Sequence, residues 1–268
     1  MVPHRSRPTE LTRRLVRSIC LFLLPAVLYF APPCHAREPV VFDDARAYFL
    51  APLNWNERNW MYFGGSLLAI AAAHEYDANV RHHFDTMPNE ASRSDPHDSR
   101  DWAPAAAMIG LTWTYAVLID DRSGYTEGRG MLEAAAFSAT TGTLVKLAAG
   151  RKRPSETSRV DDWRNGGASF PSMHASVTFA VGTVLAESGN DEYRWIRRGL
   201  GYGLATAVAY SRVHDGQHWL SDTVAAAALG VATGQFVVHR DDERRQRYAF
   251  DVVPMDGGAM VRYTLELH

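Results

Sequence analysis

Three short stretches hold the residues with chemical reach. Ser211–Asp222 packs Arg212, His218 and Asp222 into one segment. His218 and Asp222 are four apart, so on a helix the carboxylate shares a face with the imidazole and can hold one ring nitrogen protonated. The other nitrogen then offers a lone pair. Arg212, six residues before His218, brings a planar, permanent cation close to it across a turn. Such a set suits attack on a phosphoryl group. Lys146 and Arg153 are seven residues apart, about two helical turns and hence one face, and Pro154 then stops the helix. In Ser169–Ser176, Pro171 suits the first turn of a helix, Ser172 offers a small hydroxyl, and the free backbone N–H groups would point at an anion. A His and an Asp at helical spacing more often form a surface pair than a catalytic one, so the two further stretches carry the weight.

Taken together, Lys146…Arg153-Pro154, then Pro171-Ser172-Met173-His174, then Ser211-Arg212…His218…Asp222 resembles the three-part signature of the type 2 phosphatidic acid phosphatase superfamily. That family also takes in bacterial class A acid phosphatases and vanadium haloperoxidases. The resemblance implies an all-α fold, a helical bundle with its site on helix ends and adjoining loops. It also implies hydrolysis of a phosphate ester in two steps through a phosphohistidine. His218 would be the nucleophile, Asp222 its orienting partner, and His174 the general acid that later activates water. Lys146, Arg153 and Arg212 would surround the phosphoryl oxygens, with the Ser172 hydroxyl and the Met173 N–H adding hydrogen bonds. Three cations would do the electrostatic work that Mg²⁺ does elsewhere, so no cofactor or metal is expected. Vanadate enters only under the alternative, a vanadium-dependent haloperoxidase using the same anion cradle. One residue departs from the pattern: Met173 stands where the family usually has Gly, and its side chain is expected to narrow or grease the pocket.

Neighbouring residues read more plainly. Arg151 and Lys152 lie on other faces of the expected helix and are read as solvated or facing anionic headgroups. His214 is either a polar loop position or a pocket lining. His74, His82, His83 and His97 lack partners at metal-ligand spacing and are read as surface histidines, and Trp219 as core packing.

The rest of the chain must position these groups. At 268 residues and 46% hydrophobic content it can bury a full core, and a net charge of −2 gives no reason to expect nucleic acid. Residues 1–36 read as an export signal: an arginine-rich leader, an apolar run from Ile19 to Ala31 too short to span a bilayer comfortably, and small residues near Ala36. Its removal takes both cysteines, Cys20 and Cys34, which suits an oxidising compartment. Residues 37–240 are read as the helical phosphatase domain, with apolar segments at Trp60–Ala73, Trp102–Ile119, Met131–Ala149, His174–Ala186, Gly199–Tyr210 and Thr223–Val238, hence a six-helix bundle. Residues 241–268 are read as a charged linker and a small β-hairpin. Ser155–Ala168 is the candidate flap over the pocket. The segments are short and rich in Ala, so a protein exported to the periplasmic side of the envelope is favoured, either soluble or associated with the inner membrane. Its expected substrate is a lipid phosphate such as prenyl diphosphate or phosphatidic acid, or a small soluble ester.

Overall fold

Each of the six apolar segments folds as helix, but the six-helix count falls short: eight α-helices are present among the described residues. They are α1 (Val40–Leu50), α2 (Glu57–Glu75), α3 (Asp77–Asp85), α4 (Ala103–Ile119), α5 (Arg122–Ala149), α6 (Met173–Glu187), α7 (Arg194–His214) and α8 (Leu220–Arg247), with 3-10 turns at Ala51–Asn54 and Ser99–Trp102. Of the two helices beyond these six, α1 lies in 37–59, a stretch of mixed charges and aromatics that reads as an irregular or short helical lead-in, while α3, which is mostly polar, was not expected. Neither shows the long apolar run by which the others were recognised. This computed structural model describes residues 40–85, 99–119, 122–189, 193–247, 250–255 and 258–263. The expected signal over 1–36 and His97 lie outside them. The chain divides into two compact units, Met1–Asp43 and Asp44–His268; of the first, only the opening turn of α1 is described.

Helix α6 is the centre of the larger unit. Every residue from His174 to Val184 is buried, and α5, α7 and α8 pack around it. That is possible because the contact residues are small. A Cβ on Gly182 would stand 2.5 Å from the carbonyl oxygen of Gly201 in α7, and one on Gly230 of α8 would stand 2.3 Å from that of Ser176. The backbones therefore cross at a separation only glycine permits. Ala175, Phe179, Ala205 and Ala226 form the apolar cluster at these crossings. Val181 and Val184 are almost wholly enclosed, each worth about 1.5–3 kcal/mol of burial.

Polar groups fasten the remaining helices. The Tyr48 hydroxyl of α1 lies 2.8 Å from Thr233 Oγ1 of α8, and its ring stacks on Phe137 of α5 at 4.8 Å. Buried Asp44 pairs with Arg240 and Arg244, and Arg129 pairs with Asp241 at 2.7 Å. Burial, followed by the charge of Asp44, pushes the Glu133 carboxyl up to about 8. The charge run 241–247, which reads as a solvated helix end or a linker, is the helix end: α8 continues to Arg247. Beyond it β1 (Phe250–Met255) and β2 (Gly258–Tyr263) pair antiparallel, with Val252 opposite Val261.

Candidate active site

The three motif stretches meet at the N-terminal ends of α6 and α8 and the C-terminal ends of α5 and α7. Lys146 sits in the last turn of α5, but Arg153 does not share its helical face, because the helix stops at Ala149. Gly150 turns the chain with φ +55°, and Arg153 follows on the irregular segment beyond. The pair therefore converges through a loop. Lys146 Nζ donates to the carbonyls of Ala168 at 2.5 Å, Pro171 at 2.8 Å and Ser169 at 3.4 Å. Burial and then the charge of Arg153 push its pKa down to about 7. Arg153 Nη1 donates to Gln217 Oε1 at 2.8 Å, next to His218 in sequence.

Ser172 is the N-cap of α6, yet its side chain makes no capping bond. The hydroxyl is buried without a partner. The first-turn amides, Met173 among them, have no intrahelical acceptor and face outward from the helix end. The Met173 side chain reaches toward α5, its Sδ and Cε 3.5 Å from the position of a Cβ on Gly142, one turn before Lys146. His174 is buried, and its Nε2 has no partner. Its ring lies against Trp102, centroids 4.2 Å apart. Burial first, then Arg212, His218 and Arg153, push its pKa down to about 2, because a further proton would join a cluster of cations.

Arg212, fully buried in the last turn of α7, donates from Nη1 to Asp101, while its Nε and Nη2 are uncommitted. Its backbone carbonyl accepts from the amides of Gln217 and His218, both at 3.1 Å, closing the turn that presents the second histidine. His218 precedes α8 and is not on it, so the four-residue spacing works differently from a shared helical face. Asp222, in the first turn of α8, accepts the Trp219 amide at 2.9 Å and turns the same Oδ2 toward His218 Nδ1 at 3.6 Å. His218 is pushed down to about 3, chiefly by burial, against the opposing pull of Asp222. Asp222 is held below the usual carboxylate range by His218, Arg151 and Ser169, which outweigh its burial.

Two sequence readings are overturned beside this centre. Arg151 is not solvated: it is fully buried and donates to Asp222 Oδ1 at 2.6 Å and to Asp77 Oδ2 at 2.7 Å. His74 is not an idle surface histidine, since it bridges Asp77 at 2.9 Å and Asp161 at 2.8 Å. The expected flap, 155–168, is strapped down: the amides of Arg164, Asn165 and Gly167 donate to the carbonyls of Ala149 and Gly150. A Cβ on Gly167 would stand 2.1 Å from the Arg151 carbonyl oxygen, so only glycine allows this approach. His214 bonds Asp215 at 2.9 Å and packs on Phe84 and Tyr210. Trp219 is core, as expected, with Nε1 donating to the Lys152 carbonyl. Asp101 and Trp102, which touch Arg212 and His174, carry no motif spacing by which the sequence could have announced them. Among the described residues no group of three or more His, Cys, Asp or Glu side chains is placed to hold a metal ion.

Two histidines, one with a carboxylate behind it, thus stand among Lys146, Arg153 and Arg212, a site fitted to a tetrahedral oxyanion and to nucleophilic and acid–base steps at its centre. The PAP2 superfamily model matches residues 128–246, which contain all three motif stretches. The lipid A 1-phosphatase of Porphyromonas gingivalis is 24% identical over 241 residues, 82% of this chain and 48% of that protein. The chain spans about half the length of the curated relative it matches. A crystal structure of a transmembrane PAP2-type phosphatidylglycerolphosphate phosphatase from Bacillus subtilis covers 70% of this chain and 97% of its own, with 18% identity and a TM-score of 0.46.

Proposed function

We propose that this chain, whose residues 128–246 match the PAP2 superfamily, is a phosphatase acting on a lipid phosphate monoester or diphosphate through a phosphohistidine at His218. The observation that carries this is a set of four buried polar atoms without partners: Ser172 Oγ, His174 Nε2, and Arg212 Nε and Nη2. Leaving such groups unsatisfied costs about 1–3 kcal/mol each, so their convergence makes sense as a cradle for an oxyanion. A phosphoryl group there would be held by Arg212, Arg153, Ser172 and the Met173 amide, with the Lys146 charge nearby.

The steps then follow from the residues. His218 attacks phosphorus; the P–N bond forms as the ester P–O bond breaks. His174 gives its proton to the leaving alkoxide. It next takes a proton from water, whose oxygen attacks phosphorus and releases His218 and phosphate. In the empty site His174 is neutral among the cations; a bound phosphoryl dianion offsets the charges that depress it and lets it take up the proton that it then donates. Asp222 stabilises the positive charge that His218 acquires. The cationic cradle supplies the electrostatic stabilisation, and no metal enters this reaction.

The lipid assignment draws on the surface. Met61, Tyr62 and Leu68 of α2, Leu111, Tyr115 and Leu118 of α4, and Trp195, Leu200 and Tyr210 of α7 are exposed. So much apolar side chain in water calls for a covering, and membrane contact supplies it. Among the described residues one helix, 220–244, is long and apolar enough to cross a membrane, with half of its apolar window buried inside the protein. The export signal expected over 1–36 would put the reaction on the outer side of the inner membrane.

Phosphate release in EDTA tests the reading, comparing a prenyl diphosphate in detergent with a soluble aryl phosphate and using His218→Ala as the blank. Strong preference for the lipid supports it. Equal turnover of the aryl ester points to a broad acid phosphatase, and release from neither refutes the phosphatase assignment.

A further inference from the structure

Arg151 has no part in the steps above, yet it is among the largest fully buried side chains. A buried cation persists only when paired and hydrogen-bonded. Its guanidinium divides its donors: Nη1 reaches Asp222 Oδ1 at 2.6 Å and Ser221 Oγ at 2.8 Å, and Nη2 reaches Asp77 Oδ2 at 2.7 Å and the Val160 carbonyl at 2.9 Å. The Trp163 ring covers it at 4.4 Å. Asp77 is equally enclosed and accepts the Ser221 amide at 2.8 Å and the Ser221 hydroxyl at 2.7 Å, which ties the first turn of α8 to α3. His74 completes the line, with Nδ1 on Asp77 and Nε2 on Asp161 of the 155–168 loop.

We propose that His74, Asp77 and Arg151 are positioning residues for the reaction. A continuous run of polar contacts, from Asp161 through His74, Asp77 and Arg151, fixes the Asp222 carboxylate so that its Oδ2 faces His218. The inference rests on the phosphatase reading for its kinetic consequence. His74 and Asp77 lie outside residues 128–246, so this support comes from a part of the chain beyond the matched family segment. The geometry separates positioning from simple stability. Arg151 occupies Oδ1 of Asp222, while Oδ2 takes the Ser169 hydroxyl and the Trp219 amide and looks at the imidazole. Losing the Oδ1 anchor frees the carboxylate to pivot away from His218 even where the fold survives. The same device explains why the 155–168 loop is strapped down: its Val160 carbonyl and Asp161 carboxylate are terminal contacts of the line, and a moving flap would break both.

The test uses the full chain and the variants Asp77→Asn and His74→Gln. Three readouts are taken: kcat and KM on the preferred phosphate ester, the thermal melt, and the ¹⁵N shifts of the His218 ring nitrogens, assigned with His218→Ala. Asp77→Asn is expected to lower kcat by roughly tenfold, the low end of the range for outer partners that orient a functional group, because it acts on Asp222 through Arg151. KM should stay nearly constant, and the His218 Nδ1 and Nε2 shifts should move toward a different tautomer balance. His74→Gln is expected to act in the same direction and more weakly. Should Asp77→Asn fail to fold, His74→Gln decides, since that side chain is 26% exposed and its loss removes one contact to Arg151 but leaves the ion pairs of Arg151 with Asp77 and Asp222 in place. Folded variants with wild-type kcat and unmoved His218 nitrogens overturn the proposal. If the wild-type chain releases no phosphate, the phosphatase reading falls, and the ring-nitrogen shifts alone still decide whether these residues position His218.

Discussion

Lowering the pH from 7 to 5 should destabilise the protein through its two site histidines, and replacing one of them should remove a calculable share of that loss. His218 is held at about 3 in the fold, against roughly 6.5 for an unfolded histidine. A depressed pKa means that between these values the unfolded chain carries a proton that the folded chain refuses, so stability falls as pH falls through this window. From pH 7 to 5 the linkage gives about 2 kcal/mol lost for His218, and about as much again for His174, which is depressed further. Glu133 works the other way. Its carboxyl is raised to about 8, so the folded chain takes up a proton first and gains stability over the same interval, about 2.5 kcal/mol. The wild-type slope is thus a difference of opposing groups, and the informative quantity is the contrast between variants. Urea unfolding at pH 7, 6 and 5, followed by tryptophan fluorescence, should show His218→Asn losing about 2 kcal/mol less than wild type across the range. Identical pH dependence in the two proteins would refute the argument that burial keeps His218 neutral.

The remaining expectations are quickly stated. His218→Ala should abolish phosphate release without lowering the melting temperature, checked by turnover and circular dichroism. Asp222→Asn should lower turnover by orders of magnitude and also destabilise, by about 3–5 kcal/mol, because it leaves the buried guanidinium of Arg151 with Asp77 as its one charged partner; chemical denaturation measures the second part. Gly182→Ala should cost about 1–3 kcal/mol, since its methyl would meet the Gly201 carbonyl oxygen at 2.5 Å. Trp102→Ala should change KM and leaving-group preference more than it changes stability, because the ring is partly exposed and lies on His174; a series of esters with different alcohols reads this out.

That the three motif stretches form one cluster was legible in their residue types and order, while the way they are held was not. Lys146 and Arg153 were paired on a supposed helical face, but Gly150 ends the helix between them, and its left-handed φ is what a single Gly before a charged run does not announce. His218 and Asp222 were placed on one helix, whereas the helix begins between them at Leu220. Arg151 escaped notice because its carboxylate partners, Asp77 and Asp222, lie more than seventy residues away in sequence, and so does Asp161 from His74; long-range pairing leaves no local period to read. The direction of the Met173 side chain, toward Gly142 of α5, is likewise a matter of helix packing that its place in the motif does not reveal. The apolar helices are found by their composition; α1 reads only as an irregular or short helical lead-in, and α3 is missed for want of an apolar run.

The glycine crossings that clamp α6 also bear on how substrate range can be altered. His174 is carried on the tip of a rod wedged by Gly201 and Gly230 against backbone on two sides, so under the proposed mechanism its backbone cannot swing to follow a leaving group of another shape. The alcohol must instead come to the imidazole. Redesign for a bulkier or shorter substrate therefore belongs on the 3-10 turn Ser99–Trp102, whose last ring lies on His174 and is open to solvent, while changes along α6 would spend stability and leave selectivity where it was.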